Sequence, residues 1–148
     1  MAKLFVNFVI FGAFVAVLVN GFDKEAAMDT FVDNLSECQE EVGAQHSDLE
    51  DLVDKKPSST MEGKCLRACI MKKYEMMDDN GKFSKDVAEA HAQEYTEGSE
   101  DKLKIAHEII DACSSIEVDD DHCEAAEQYG QCMKEQAMAH NIDDAFGY

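Results

Sequence analysis

The pentapeptide Cys65-Leu66-Arg67-Ala68-Cys69 holds two cysteines one helical turn apart. Residues four apart on a helix share a face, and their Cβ atoms lie about 5–6 Å apart. A disulfide needs Cβ atoms about 3.5–4.5 Å apart, so a bond between these two would distort the helix. We therefore expect Cys65 and Cys69 to bond to two different neighbours, which makes this helix the hub of a cross-linked bundle.

The first 21 of the 148 residues have the features of a secretory signal peptide. A basic start (1–3), an apolar run (4–19) and the small residue Gly21 predict cleavage before Phe22. A membrane anchor is the alternative, but the apolar run has about 16 residues where a spanning helix needs about 20. We therefore expect a secreted single domain, residues 22–148, with no stable membrane insertion.

The charge of the processed chain is strongly negative. Removal of residues 1–21 takes away one of the 13 basic residues and none of the 32 acidic ones, so the net charge changes from −19 to −20. Nucleic acids and anionic membranes repel such a surface, whereas solubility increases. The composition therefore excludes a nucleic-acid-binding protein and favours a soluble extracellular carrier or binding protein.

The six cysteines all follow the predicted cleavage site, and an even number in a secreted chain predicts three disulfides. A zinc site at Cys65 and Cys69 would need a second Cys/His pair at finger-like spacing, which is missing. The turn around Gly81 lacks oxygen ligands at the first and last positions of a calcium loop. We therefore predict no metal site.

Apolar residues recur at steps of three and four along most of the chain, behind residues that typically cap helices. Capping boxes open at Ser47 and Ser59, and Ser84, Ser99 and Asp121 precede three further helices. No segment has the alternating pattern of a strand, so the predicted fold is all-α with about six helices. Their predicted limits are about 23–42, 47–55, 59–78, 84–95, 99–113 and 121–140.

Helix geometry restricts the pairing of the cysteines without settling it. Cys123 and Cys132 are nine residues apart on the last predicted helix, which places them on nearly opposite sides. If neither this pair nor Cys65 with Cys69 can form, ten of the 15 possible pairings of six cysteines remain open.

The spacing of the cysteines resembles the six-cysteine signature of insect odorant-binding proteins, the pheromone- and general-odorant-binding family. Three residues separate the second and third cysteines, eight separate the fifth and sixth, and the first and third intervals are long. The run 64–69 and the turn 80–83 are also similar to the family, and the resemblance covers essentially the whole predicted mature chain. It implies an internal apolar cavity and the pairs Cys38 with Cys69, Cys65 with Cys123, and Cys113 with Cys132.

The function that this resemblance implies is that of a carrier. Such a protein transports small hydrophobic odorants or pheromones through aqueous lymph, as a monomer or weak homodimer, with an olfactory receptor as a candidate partner. The alternative is a carrier or protein-binding factor of the same fold in haemolymph, saliva or seminal fluid. The chain contains neither a Gly-x-Ser-x-Gly nor a His-Glu-x-x-His motif, so we predict no enzyme activity and no cofactor.

Methionines are frequent on the hub helix and the last helix, and flexible thioethers suit a pocket that accepts several ligand shapes. Any one of them is more ordinarily a core residue, but together they favour an adaptable cavity. A few polar side chains would orient a hydroxyl, aldehyde or ester group. The predicted ligand-binding residues are Tyr74, Met77, Phe83, His91, Ile110, Tyr129, Met133 and Phe146.

Overall fold

The computed structural model describes residues 23–142, which form six α-helices and no strand. The predicted all-α class is confirmed. The predicted signal peptide and Phe146 lie outside the described residues. Within them, no helix is long and apolar enough to cross a membrane. The helices are α1 (Lys24–Val42), α2 (His46–Val53), α3 (Met61–Lys73), α4 (Lys85–Tyr95), α5 (Glu100–Ser114) and α6 (His122–Ala139).

Helix α3 is the hub of the bundle and packs against α1, α2 and α6. Its two cysteines bond in different directions, one to α1 and one to α6, and a third disulfide joins α5 to α6. Helix α4 packs on α5, which in turn packs on α6. The disulfides are Cys38–Cys69, Cys65–Cys123 and Cys113–Cys132, the same pairs that the resemblance implied.

The hub helix is shorter than predicted, because it ends at Lys73 instead of near Asp78. Glu75 has a left-handed backbone with φ of 57°, which no α-helix accommodates. The chain then turns, so that Met77 forms an isolated antiparallel bridge with Phe83. The predicted helical stripe through Met77 is therefore wrong.

The turn that follows is held together by the side chain of Asp78. The Asp78 carboxylate accepts hydrogen bonds from the backbone N–H groups of Asn80 and Lys82, both at 2.9 Å. Gly81 adopts φ of 73°, a left-handed conformation that glycine accepts without steric cost. Such local side-chain bonds offer the backbone an alternative to the helix.

Two helices also begin at other residues than predicted. Helix α2 follows Gln45, whose backbone N–H donates to the Asp48 carboxylate at 2.8 Å. Helix α3 follows Thr60 rather than Ser59, and the Thr60 hydroxyl accepts from the N–H of Gly63 at 2.9 Å. The same hydroxyl donates to Asp48, which is 2% exposed. Asp48 accepts hydrogen bonds at the starts of both α2 and α3. This buried carboxylate therefore determines which residues cap the two helices.

The apolar core has three parts, which follow the pairing of the helices. One lies between α3 and α6, one between α1, α2 and α3, and one between α4 and α5. The Phe83 ring, in the turn before α4, packs against the first and the third. The buried residues are Ala68, Met71, Met77, Ala125, Ala126 and Tyr129 in the first part, Cys38, Ala44 and Leu66 in the second, and Ala88, Ala92 and Ile110 in the third.

Candidate ligand-binding site

A solvent-open cleft of 330 Å³ lies between the first turns of α1, the residue that ends α3, and the second half of α4. Its volume is near the lower end of the range of about 300–1,000 Å³ that is typical of small-molecule sites. We call it the α1–α4 cleft. It is lined by Asp23, Ala26, Ala27, Thr30, Tyr74, His91, Glu94 and Tyr95.

Three rings form a continuous strip along this cleft. The Tyr74 and His91 ring centroids are 6.1 Å apart in an edge-on arrangement, and those of His91 and Tyr95 are also 6.1 Å apart. The His91 Nε2 atom lies 3.1 Å from the backbone carbonyl oxygen of Tyr74. Because a carbonyl oxygen only accepts, Nε2 carries the hydrogen, and this bond fixes the imidazole between α3 and α4.

The Tyr95 phenol remains protonated at physiological pH. Partial burial raises its pKa above the ordinary value, and the neighbouring Tyr74 and Glu94 raise it further. A neutral phenol both donates and accepts hydrogen bonds. Tyr95 therefore adds a polar group to a largely apolar wall.

Four of the predicted ligand-binding residues meet away from the cleft, in the core between α3 and α6. Met77 and Tyr129 are each 2% exposed, and Phe83 and Met133 pack against them. The Phe83 and Tyr129 ring centroids are 5.5 Å apart. Rings and thioethers thus share one buried cluster, and its role in ligand binding stays a prediction.

The other predicted residues are distributed differently. Tyr74 and His91 line the α1–α4 cleft, whereas Ile110 lies in the α4–α5 core, which Phe83 also contacts. Phe146 lies outside the described residues. Phe83 therefore links the clusters that hold Ile110 and Tyr129.

Sequence reasoning missed the residues that α1 and the end of α4 contribute to the cleft. Tyr95 and Glu94 could have been found, because they lie four and three residues after His91 on one helix, within reach of its face. Asp23 and Thr30 carry no such signal. Their place in the cleft depends on how α1 packs against the rest of the bundle.

The described residues contain no group of three or more His, Cys, Asp or Glu side chains that could hold a metal ion. All six cysteines are in disulfides. The described residues thus form a helical bundle cross-linked by three disulfides, with rings and thioethers in its core and an open cleft beside α1 and α4.

Comparison with known proteins identifies the family. Residues 21–136 match the PBP/GOBP family. General odorant-binding protein 28a of Drosophila melanogaster is 46% identical over 127 residues, covering 86% of this chain and 89% of that protein. General odorant-binding protein 19d of the same fly is 34% identical over 120 residues, covering 81% of this chain and 80% of that protein.

The fold agrees with this assignment. The solved structure of odorant-binding protein 28a from Drosophila melanogaster superimposes with a TM-score of 0.73 at 45% identity, covering 81% of this chain and 99% of that one. The chain belongs to the PBP/GOBP family, whose members are carriers of hydrophobic ligands and not enzymes. The resemblance seen in the cysteine spacing is thereby confirmed.

Proposed function

We propose that the chain, after removal of residues 1–21, carries small odorant molecules through aqueous lymph to olfactory receptors. Two relatives that are 46% and 34% identical are named as general odorant-binding proteins, which supports this ligand class. The single processed domain spans residues 22–148. Its strong negative charge keeps it soluble at high concentration.

The observation that carries the proposal is the composition of the buried cluster between α3 and α6. Met77, Phe83, Tyr129 and Met133 provide two thioethers and two rings, and Phe83 extends the apolar surface to Ile110. Thioether side chains adapt to ligands of different shape. Burying about 300 Å² of odorant would contribute about 7 kcal/mol before the costs of association, which is compatible with micromolar affinity.

Displacement of a fluorescent apolar probe tests the proposal directly. The refolded chain 22–148 is titrated with a panel of neutral volatiles and fatty acids. We expect several of them to displace the probe. If none does, the carrier proposal fails for these ligands and a protein partner becomes the better explanation.

A matched pair of variants tests the proposed position of the ligand. Met133→Ala removes a thioether from the buried cluster and should weaken odorant binding about fivefold, the loss of roughly one buried contact of about 1 kcal/mol. Met138→Ala, on the same helix at a side chain that is 61% exposed, should leave the affinity unchanged. Equal effects of the two substitutions would contradict this position, provided that thermal unfolding shows both variants folded.

A further inference from the structure

The α1–α4 cleft has a charge distribution that a purely apolar ligand would not need. Two carboxylates line it, Asp23 from the start of α1 and Glu94 from α4, and none of its eight lining residues is Lys or Arg. Glu94 lies one position before Tyr95, so an acid and a ring occupy the same end of α4. The cleft is therefore both anionic and aromatic.

The two lysines at the end of α3 do not line the cleft, and both contact side chains outside it. The Lys73 ammonium lies 2.6 Å from the Glu37 carboxylate on α1. The Lys72 ammonium lies 2.7 Å from Nδ1 of His122 on α6.

Helix ends add to the negative potential. The cleft borders Tyr74, which caps the C-terminus of α3, and the last turn of α4, and helix C-termini carry a partial negative charge that favours cations. One helix N-terminus, that of α1, also borders the cleft. There the Asp23 carboxylate accepts a hydrogen bond from the N–H of Ala26 at 3.1 Å, which offsets the partial positive charge.

The ring strip supplies a second attraction for a cation. A positive charge within about 6 Å of an aromatic face is stabilised by the ring quadrupole, and Tyr is among the better rings for this. Tyr74, His91 and Tyr95 are spaced at 6.1 Å intervals along the cleft. An apolar body with an ammonium group would contact the rings along its length and the carboxylates at its charged end.

We infer that the α1–α4 cleft binds small protonated amines, with Glu94 as the carboxylate that pairs with the ammonium group and the Tyr74–His91–Tyr95 strip as the surface for the apolar body. This goes beyond the proposed function by assigning a cationic ligand class to a site separate from the α3–α6 cluster. It rests on the proposed function only in that the chain carries small molecules.

Two ligands with the same carbon skeleton test the inference. The processed chain 22–148 is titrated at neutral pH and low salt with 2-phenylethylamine, which is protonated, and with 2-phenylethanol, which is neutral. We expect the amine to bind about five- to tenfold more tightly than the alcohol, as befits a charge-assisted bond at a partly exposed site. That preference should shrink when salt is raised to about 0.5 M, because ions screen exposed charges. Equal or tighter binding of the alcohol at low salt would overturn the inference.

Variants locate the effect at the cleft. Glu94→Gln should abolish the preference, because the affinity for the amine falls towards that for 2-phenylethanol. Glu97→Gln removes the same charge three residues further along, at an exposed side chain that does not line the cleft, and should keep the preference. If both variants lose it equally, the attraction belongs to the acidic surface as a whole and the inference fails.

The result is separable from the proposed function. Displacement of the neutral apolar probe by neutral volatiles is measured separately, on the unsubstituted chain and on the Glu97→Gln protein, and should be the same in both. Failure of that displacement in the unsubstituted chain would contradict the odorant carrier. Failure of the amine preference alone would contradict only the cationic site.

Discussion

The contact between α3 and α6 and the contact between α4 and α5 are built from different interactions. The first contains the Cys65–Cys123 disulfide and the fully buried residues Ala125 and Ala126. Helix α4 has no cysteine, and its ion pair to α5, Lys85 with Asp111 at 2.6 Å, joins two largely exposed side chains. A disulfide and fully buried residues thus stabilise the hub contact, whereas α4 is held on α5 by a small apolar core and an exposed ion pair, without a disulfide.

A buried carboxylate strengthens the hub further. Glu127 on α6 is 5% exposed and accepts hydrogen bonds from the backbone and hydroxyl of Ser58 at 2.9 and 2.8 Å. The Arg67 guanidinium of α3 lies 3.2 Å away. Burial acts to raise the pKa of Glu127, but the Ser58 hydrogen bonds and the Arg67 charge outweigh it and hold that pKa below its ordinary value. Glu127 therefore stays ionised and ties the loop before α3 to α6.

This difference suggests that the hub maintains the fold, whereas α4 gives access to the cleft. Local opening of a protein costs least where few buried contacts must break. Helix α4 carries no disulfide, so we expect it to open more readily than the hub and to let a ligand enter the cleft while the hub contacts stay in place. Three changes test the comparison.

The largest expected effect is the loss of the disulfide between α3 and α6. The double substitution Cys65→Ala and Cys123→Ala opens a link between residues 58 apart in the sequence. Chain-entropy arithmetic gives a loss of about 4 kcal/mol in the free energy of unfolding. Denaturant unfolding of the refolded proteins measures it.

The control is the shorter disulfide from α5 to α6. Cys113 and Cys132 are 19 residues apart, for which the same arithmetic gives about 3 kcal/mol. A larger loss from the shorter link would show that loop entropy does not govern the stability of the hub.

The next effect concerns the buried carboxylate. Glu127→Gln should lower the free energy of unfolding by about 3 kcal/mol at neutral pH, because Arg67, whose side chain is 15% exposed, is left without its counter-charge. A carboxylate whose folded pKa is depressed stabilises the fold above the unfolded pKa, near 4.5, and this contribution is lost as pH falls through the folded pKa. The difference in free energy of unfolding between the unsubstituted chain and Glu127→Gln should therefore become smaller below about pH 4.5.

The exposed pair on α4 provides the contrast. Lys85→Gln breaks the ion pair with Asp111, and the solvent screens such charges. We expect the denaturation midpoint of Lys85→Gln to equal that of the unsubstituted chain within experimental error. A loss comparable to that of Glu127→Gln would remove the distinction between the two contacts.

The third change lies in the turn that joins the two regions. Gly81 has φ of 73°, and a Cβ added there would lie 2.5 Å from Cδ2 of His122 on α6. Gly81→Ala should therefore cost about 2 kcal/mol, through backbone strain and displacement of the imidazole. Thermal unfolding gives the value.

A second glycine separates these two causes. Gly98 has φ of 77° with nothing within 4 Å of an added Cβ, so Gly98→Ala should cost about 1 kcal/mol from strain alone. Equal losses at both positions would mean that the contact of Gly81 with His122 has no energetic role.

Local patterns predicted the helices well but not all their ends. Six helices were expected and six are found in residues 23–142, because apolar spacing reports which face of each helix is buried. The cap of α3 was placed one residue early, since both Ser59 and Thr60 can cap a helix. Buried Asp48, on a different helix, decides between them.

Covalent chemistry and periodicity are local properties of the chain, so the amino-acid order alone indicated a secreted all-α protein with three disulfides and, through the cysteine spacing, its family. Which side chains form the α1–α4 cleft depends on how the helices pack. Asp23 caps the start of α1 and Glu94 lies on α4, far apart in the sequence, and no spacing rule connects them. Their approach follows from the sum of many contacts between helices, and these exist only in the folded chain.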